Sequence, residues 1–129
     1  MRYVITIYSN PATWAHPMFL HQHEQLAPEE RAAQLDEFGA LMKEIAESGE
    51  LIDSAALADP VTSRTIRFRN GVPTATDGPF ADAKQQLAGF FLVDCETPER
   101  AAEIAARLPD ARTAGVEIRP VMDLSGIQM

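Results

Sequence analysis

Three histidines, His16, His21 and His23, lie within eight residues of one another. A histidine titrates near neutral pH, so each is a candidate general base, or a metal ligand. His21 and His23 share a face only if the chain is extended there. His16 does not stand at the two-ligand spacing of a helix, and a metal site would need Glu24 and a distant ligand as well. A polar loop carrying surface or interface histidines accounts for the same pattern, and no metal is expected. The second candidate is Asp77, in the run Asp77-Gly78-Pro79-Phe80. A carboxylate on a rigid Gly-Pro turn could act as a base or orient a histidine. Turn chemistry alone also explains the run, with Asp77 bonding the backbone two residues on and Phe80 filling the core. Arg67, Arg69 and Arg119 could clamp a carboxylate or phosphate if their strands lie close. Pairing with Glu117, Asp94 or other acids is the plainer alternative. Lys84 could reach an anion, and Tyr8, Trp14 and Phe80 could line an apolar pocket. Cys95 reads as a buried thiol. No phosphate loop, serine elbow or other cofactor motif is present, so no cofactor is expected.

The elements that must position these groups follow from local pattern. Tyr3–Tyr8 is β-branched and aromatic, which predicts a strand with apolar residues on both faces and a central place in a sheet. Residues 9–27 open with turn formers, show no clean period and carry Trp14 and the histidines. A connection that long is often functional, and Met18–Leu26 could turn into a short helix. Pro28, followed by Glu29 and Glu30, suits a helix start, and Leu35, Phe38, Leu41, Met42 and Ile45 keep helical spacing to a stop at Gly49. This predicts a helix over 28–48. Strands are expected at Glu50–Leu57 and Val61–Arg69. Asn70-Gly71 then turns the chain back into Val72–Thr76 as a hairpin. Asp77–Phe80 is a turn and residues 81–87 a polar loop or a turn of helix. Ala88–Cys95 is a buried strand. Thr97 caps a second helix with Pro98 first, an apolar stripe of Ala101, Ile104, Ala105 and Leu108, and an end at Pro109. Val116–Met122 is the last strand, and residues 125–129 form a short tail.

The order is β-α-β, a hairpin, then β-α-β. It predicts a single α+β domain over residues 1–124: a ferredoxin-like, split βαβ sheet with an inserted β-hairpin. Two helices cover one face of such a sheet. The strands are apolar on both, so a second copy is the expected cover and a homodimer the expected partner.

The segment from Thr76 to Phe91 (Thr-Asp-Gly-Pro-Phe-Ala-Asp-Ala-Lys-Gln-Gln-Leu-Ala-Gly-Phe-Phe) resembles the signature of the YciI-related, DGPF-domain family. Trp14 after the first strand, the Arg-Asn-Gly hairpin and the terminal Val116–Val121 are similar as well. The resemblance covers residues 1–124. Where the family usually has Glu-Thr before the lysine, this chain has Asp82 and Ala83. The resemblance implies a dimeric α+β barrel, two sheets facing each other with pockets between sheet and loops. Related barrels include lyases, isomerases, dehydrochlorinases and monooxygenases. YciI-type relatives use a His–Asp pair whose histidine follows the first strand, the region of His16, His21 and His23. Some members are encoded beside extracytoplasmic-function sigma factors, which implies a regulatory context. Two functions are therefore expected as alternatives. One is a small lyase-, isomerase- or hydrolase-like enzyme in which a loop histidine moves a proton and Asp77 assists. The other is a noncatalytic dimeric module that binds a small ligand or regulates a sigma factor.

Composition bounds the rest. The chain has 129 residues, 46% hydrophobic and 23% charged, with a net charge of −8, which describes one globular domain. One cysteine excludes an internal disulfide framework. The acid excess argues against a nucleic-acid partner. No apolar run approaches the ~18 residues of a membrane span, and the short apolar stretch at the N-terminus does not make a signal peptide. A cytoplasmic protein with no membrane partner is the expectation.

Overall fold

The computed structural model describes residues 1–9, 28–81, 85–113 and 115–123. Its elements are β1 (Arg2–Ser9), α1 (Pro28–Ser48), β2 (Leu51–Ala56), β3 (Arg64–Arg69), β4 (Val72–Asp77), β5 (Gln86–Asp94), α2 (Pro98–Ala106), α3 (Asp110–Thr113) and β6 (Val116–Pro120), with a 3-10 turn at Pro60–Thr62. Four strands form one sheet in the order β2-β5-β1-β6, every pair antiparallel; β3 and β4 form a sheet of their own. Leaving the hairpin aside, each helical crossover skips one strand, so β5 lies between β1 and β2, and β1 between β5 and β6. This α+β arrangement is compatible with the expected ferredoxin-like fold.

Helix α1 runs from Pro28 to Ser48, as the spacing predicts, and stops where Gly49 turns to φ +82°. Such a backbone is open to glycine at little cost. Thr97 caps α2, its side chain accepting the Arg100 amide at 3.1 Å, with Pro98 in the first turn. Both helices press on one face of the sheet. Leu41 and Ile45 of α1 and Ala101, Ile104 and Ala105 of α2 join Tyr3, Ile5, Ile7, Phe91 and Val93 in a single core. Deleting a large side chain from such a core costs about 2–5 kcal/mol. On the opposite face Val4, Thr6, Tyr8, Phe90 and Leu92 are only half-buried.

Four local expectations shift. The strand expected from Val61 begins at Arg64, because Asp59 accepts the Val61 amide at 2.9 Å and winds Pro60–Thr62 into a 3-10 turn. Asp77 ends β4 instead of opening a turn, since its place in the ladder opposite Arg64 is still paired. Strand β5 starts at Gln86, inside the expected polar loop; a bulge at Ile7/Tyr8 lets Tyr8 and Ser9 keep pairing with Leu87 and Gln86. Helix α3 follows Pro109, where the sequence pattern predicts only an end.

The hairpin turn is as expected. Asn70 and Gly71 adopt φ +54° and +76°, the paired positive angles of a type I′ turn. Leu57 continues the β2–β5 ladder by donating to Ala88 O at 2.8 Å, and the chain then leaves the main sheet. Strands β3 and β4 thus form an arm beyond the β2–β5 end of the sheet. A two-stranded hairpin is marginal in water, so its anchors at the base decide whether it holds its place.

Candidate functional site

The anchors are at the Asp-Gly-Pro-Phe turn. Gly78, at φ +104°, donates its amide to Ser63 O at 2.8 Å and accepts the Thr65 hydroxyl on its carbonyl at 2.9 Å. A positive φ disfavours any side chain there. Arg67 reaches from β3 to Phe80: its guanidinium carbon stands 4.5 Å from the ring centroid, and Nη2 donates to Phe80 O at 3.2 Å. The ring is 71% exposed. Phe80 therefore does not fill the core, as the turn-only reading of the motif supposes. A cation–π contact of this kind is worth about 0.5–1 kcal/mol at an exposed site.

Between this turn and the segment that enters the hairpin lies an open pocket of about 540 Å³. Leu57, Pro60, Ile66, Pro79, Phe80 and Leu87 give it apolar walls; Thr62, Ser63, Arg64, Thr65 and Gln86 add polar groups. The volume lies in the range of small-molecule sites. Three separate stretches of chain supply the lining, and the motif supplies Pro79 and Phe80. Thr62 and Thr65 already donate to Asp59 O and Gly78 O, so they shape the wall. Arg64 Nε is 3.6 Å from Asp77 Oδ1 across the hairpin.

The candidates named from sequence fall in different places. His16, His21, His23, Trp14 and Lys84 lie outside the described residues. Asp77 does not line the pocket; its side chain is 93% exposed beside Arg64. Phe80 lines it. Tyr8 sits on the half-buried sheet face, its hydroxyl 3.3 Å from that of Thr6. Arg119 lies on β6 at the far edge of the sheet and pairs with Glu117 at 3.1 Å. Arg67 and Arg69 are on the hairpin, so the three arginines are not gathered into one clamp. Sequence reasoning missed Arg64, Ser63 and Gln86. The Ser-Arg-Thr run before the hairpin carries the needed polar groups, but nothing local marks it as a pocket wall.

Two further polar features belong to the scaffold. Arg100 of α2 bonds Glu50 (2.8 Å), Glu44 (2.7 Å) and Glu103 (3.1 Å), tying α2 to α1 and to the start of β2. Its hydrogen bonds hold the carboxyls of Glu44 and Glu50 below their ordinary range. Burial pushes the Cys95 thiol up, as for an unreactive thiol. Among the described residues no group of three or more His, Cys, Asp or Glu side chains could hold a metal, and no helix is long and apolar enough to cross a membrane.

Comparison with known proteins places the chain. The family model of the YCII-related domain matches residues 1–125. An uncharacterised protein of Rhizobium meliloti (strain 1021) is 34% identical over 95 residues, which cover 72% of this chain and 77% of that one. The chain belongs to the YCII-related domain family.

Proposed function

We propose that this YCII-related domain protein is a homodimeric binding protein for a small organic molecule, held between the Asp-Gly-Pro-Phe turn and the segment Leu57–Ser63. The observation that carries the reading is the pocket itself: a concave, mainly apolar site of ligand size, built from the residues of the motif and the base of the hairpin. The described lining offers hydrogen bonds and one guanidinium, and no side chain that exchanges a proton near neutral pH. That favours binding over the lyase-, isomerase- or hydrolase-like alternative. Catalysis would draw on His16, His21 or His23. A regulatory role beside an extracytoplasmic-function sigma factor agrees with a binding protein, and co-purification with such a factor tests it.

The dimer is supported by the half-buried face of Val4, Tyr8, Phe90 and Leu92, opposite the one that both helices cover. A second copy packed face to face, as in a dimeric α+β barrel, would bury it. On the hairpin Phe68, outside the pocket lining, is 73% exposed as well.

Native mass spectrometry on gently purified protein tests both parts. A dimer with added small-molecule mass is expected, and that mass should be lost on exchanging Leu87→Asp in the pocket wall. A monomer at micromolar concentration refutes the dimer. A bound compound returned chemically changed after incubation, with the change abolished by replacing one of the three histidines, would establish the enzyme instead.

A further inference from the structure

We infer that the pocket takes an amphipathic organic monoanion, a carboxylate with an alkyl or aryl body, seated on Arg64; this rests on the pocket reading above. Arg64 is the one charged side chain of the described lining. Its Nε–Oδ1 distance of 3.6 Å to Asp77 exceeds that of a hydrogen bond, and it donates no hydrogen bond to any other described residue. The Arg64 side chain is 69% exposed and that of Asp77 93%. Asp77 thus attracts Arg64 without using its donors. A ligand carboxylate can take the two parallel N–H bonds that the guanidinium offers. The Ser63 hydroxyl, bonded to no described residue, stands next to it in the lining.

The remaining walls set the rest of the ligand. Leu57, Pro60, Ile66, Pro79, Phe80 and Leu87 offer hydrocarbon contact, so the site pairs one cation with an apolar trough. A single guanidinium matches a single negative charge. In a chain of net charge −8 the overall field repels anions, so anion affinity must come from this local group.

The arrangement gives Asp77 a definite sign. As a competing carboxylate outside the pocket it weakens ligand binding, whereas a supporting residue would strengthen it. The test uses the full chain, with octanoate and 4-phenylbutyrate as probes and their primary amides as neutral matches, followed by backbone amide NMR shifts. Both acids should move the Thr65, Phe80 and Leu87 resonances and bind about tenfold or more tighter than their amides, the worth of a charge-assisted bidentate contact. Arg64→Gln should bring the acids down to the amides. Asp77→Asn should tighten the acids about two- to fivefold, what an exposed ion pair is worth, and leave the amides unchanged. Acids and amides binding alike, or acids unaffected by Arg64→Gln, would overturn the anion and keep the pocket. If none of the four probes moves those resonances, the pocket reading falls and the inference with it.

Discussion

Asp110 sets a test of the energetics that needs no ligand. It opens α3 with a side chain wholly removed from solvent, and neither carboxylate oxygen has a hydrogen-bond partner among the described residues. Burial pushes its pKa up from 3.8 to about 6. An ionised carboxylate without partners is costly to bury, so the folded protein holds the proton longer than the unfolded chain does. The sign follows by linkage. Below the unfolded pKa both states are protonated and the residue carries no charge penalty. As pH rises through the interval from about 4 to about 6 the unfolded chain ionises first, and stability falls. Above the folded pKa the loss is complete and constant. The rise from 3.8 to about 6 corresponds to roughly 3 kcal/mol. Asp110→Asn keeps the shape and removes the charge, and its amide mimics the protonated acid. The variant should match the parent near pH 4 and exceed it by about 3 kcal/mol at pH 7.5. Urea unfolding of both proteins at fixed protein concentration, from pH 4 to 8, reads the difference directly. Carboxylates common to both chains, Glu44 and Glu50 included, cancel in it. A difference that does not change with pH, or a parent more stable than the variant at pH 7.5, would refute the reasoning; a cationic or donating partner for Asp110 would then exist beyond the described residues.

Gly89 tests the close approach of β2 to β5. A Cβ there would stand 2.6 Å from Ala55 O, a backbone atom, so Gly89→Ala should cost about 1–3 kcal/mol in urea unfolding, and a neutral result would mean that the strands part easily. Arg100→Met should cost about 1–2 kcal/mol, discounted for partial exposure, because it takes the cation from Glu50 and Glu103 and leaves Glu44 with Arg107 alone. Glu50 has a lowered pKa, so its contribution is present above the unfolded carboxylate range and is lost as pH falls through the folded value; the penalty of Glu50→Gln should therefore shrink toward pH 3. Gly71→Ala forces a side chain into φ +76° and should cost about 1 kcal/mol. Hydrogen exchange should show that loss confined to β3 and β4, and a loss spread over the main sheet would contradict a separate arm.

What was legible in the sequence was local. Pro28 with Glu29 and Glu30, the Thr97-Pro98 pair, and Asn70-Gly71 each fix their own neighbourhood, and α1, α2 and the hairpin turn lie where those residues put them. The boundaries that moved depend on partners distant in sequence. Gln86 is in a strand because Ser9 pairs with it, and Asp77 because Arg64 does. The pocket was illegible for the same reason. Its walls come from Leu57–Ile66, Pro79–Phe80 and Gln86–Leu87, and no periodicity links them. Strand alternation puts Arg67 and Arg69 of β3 on one face. Arg64 has the opposite parity, and only the way the chain enters the hairpin makes it a wall residue.

The motif gains a different meaning from this geometry. Read alone, Asp-Gly-Pro-Phe offers either a catalytic acid or a simple turn. In the fold its four residues have four separate tasks at one joint. Asp77 faces Arg64 across the ladder. Gly78 bonds Ser63 and Thr65 on both its amide and its carbonyl, at a backbone angle that disfavours a side chain. Pro79 lines the pocket, and its fixed φ stiffens the exit from the hairpin. Phe80 lies beneath Arg67 and forms another part of the wall. Loss of the Gly78 bonds or of the Arg67–Phe80 contact would loosen the turn, and with it the pocket wall that the turn supplies, whereas Asp77 acts only on the charge of Arg64. A motif of this kind specifies the shape of a site more strongly than its chemistry, so one turn can serve ligands as different as the lining around it allows.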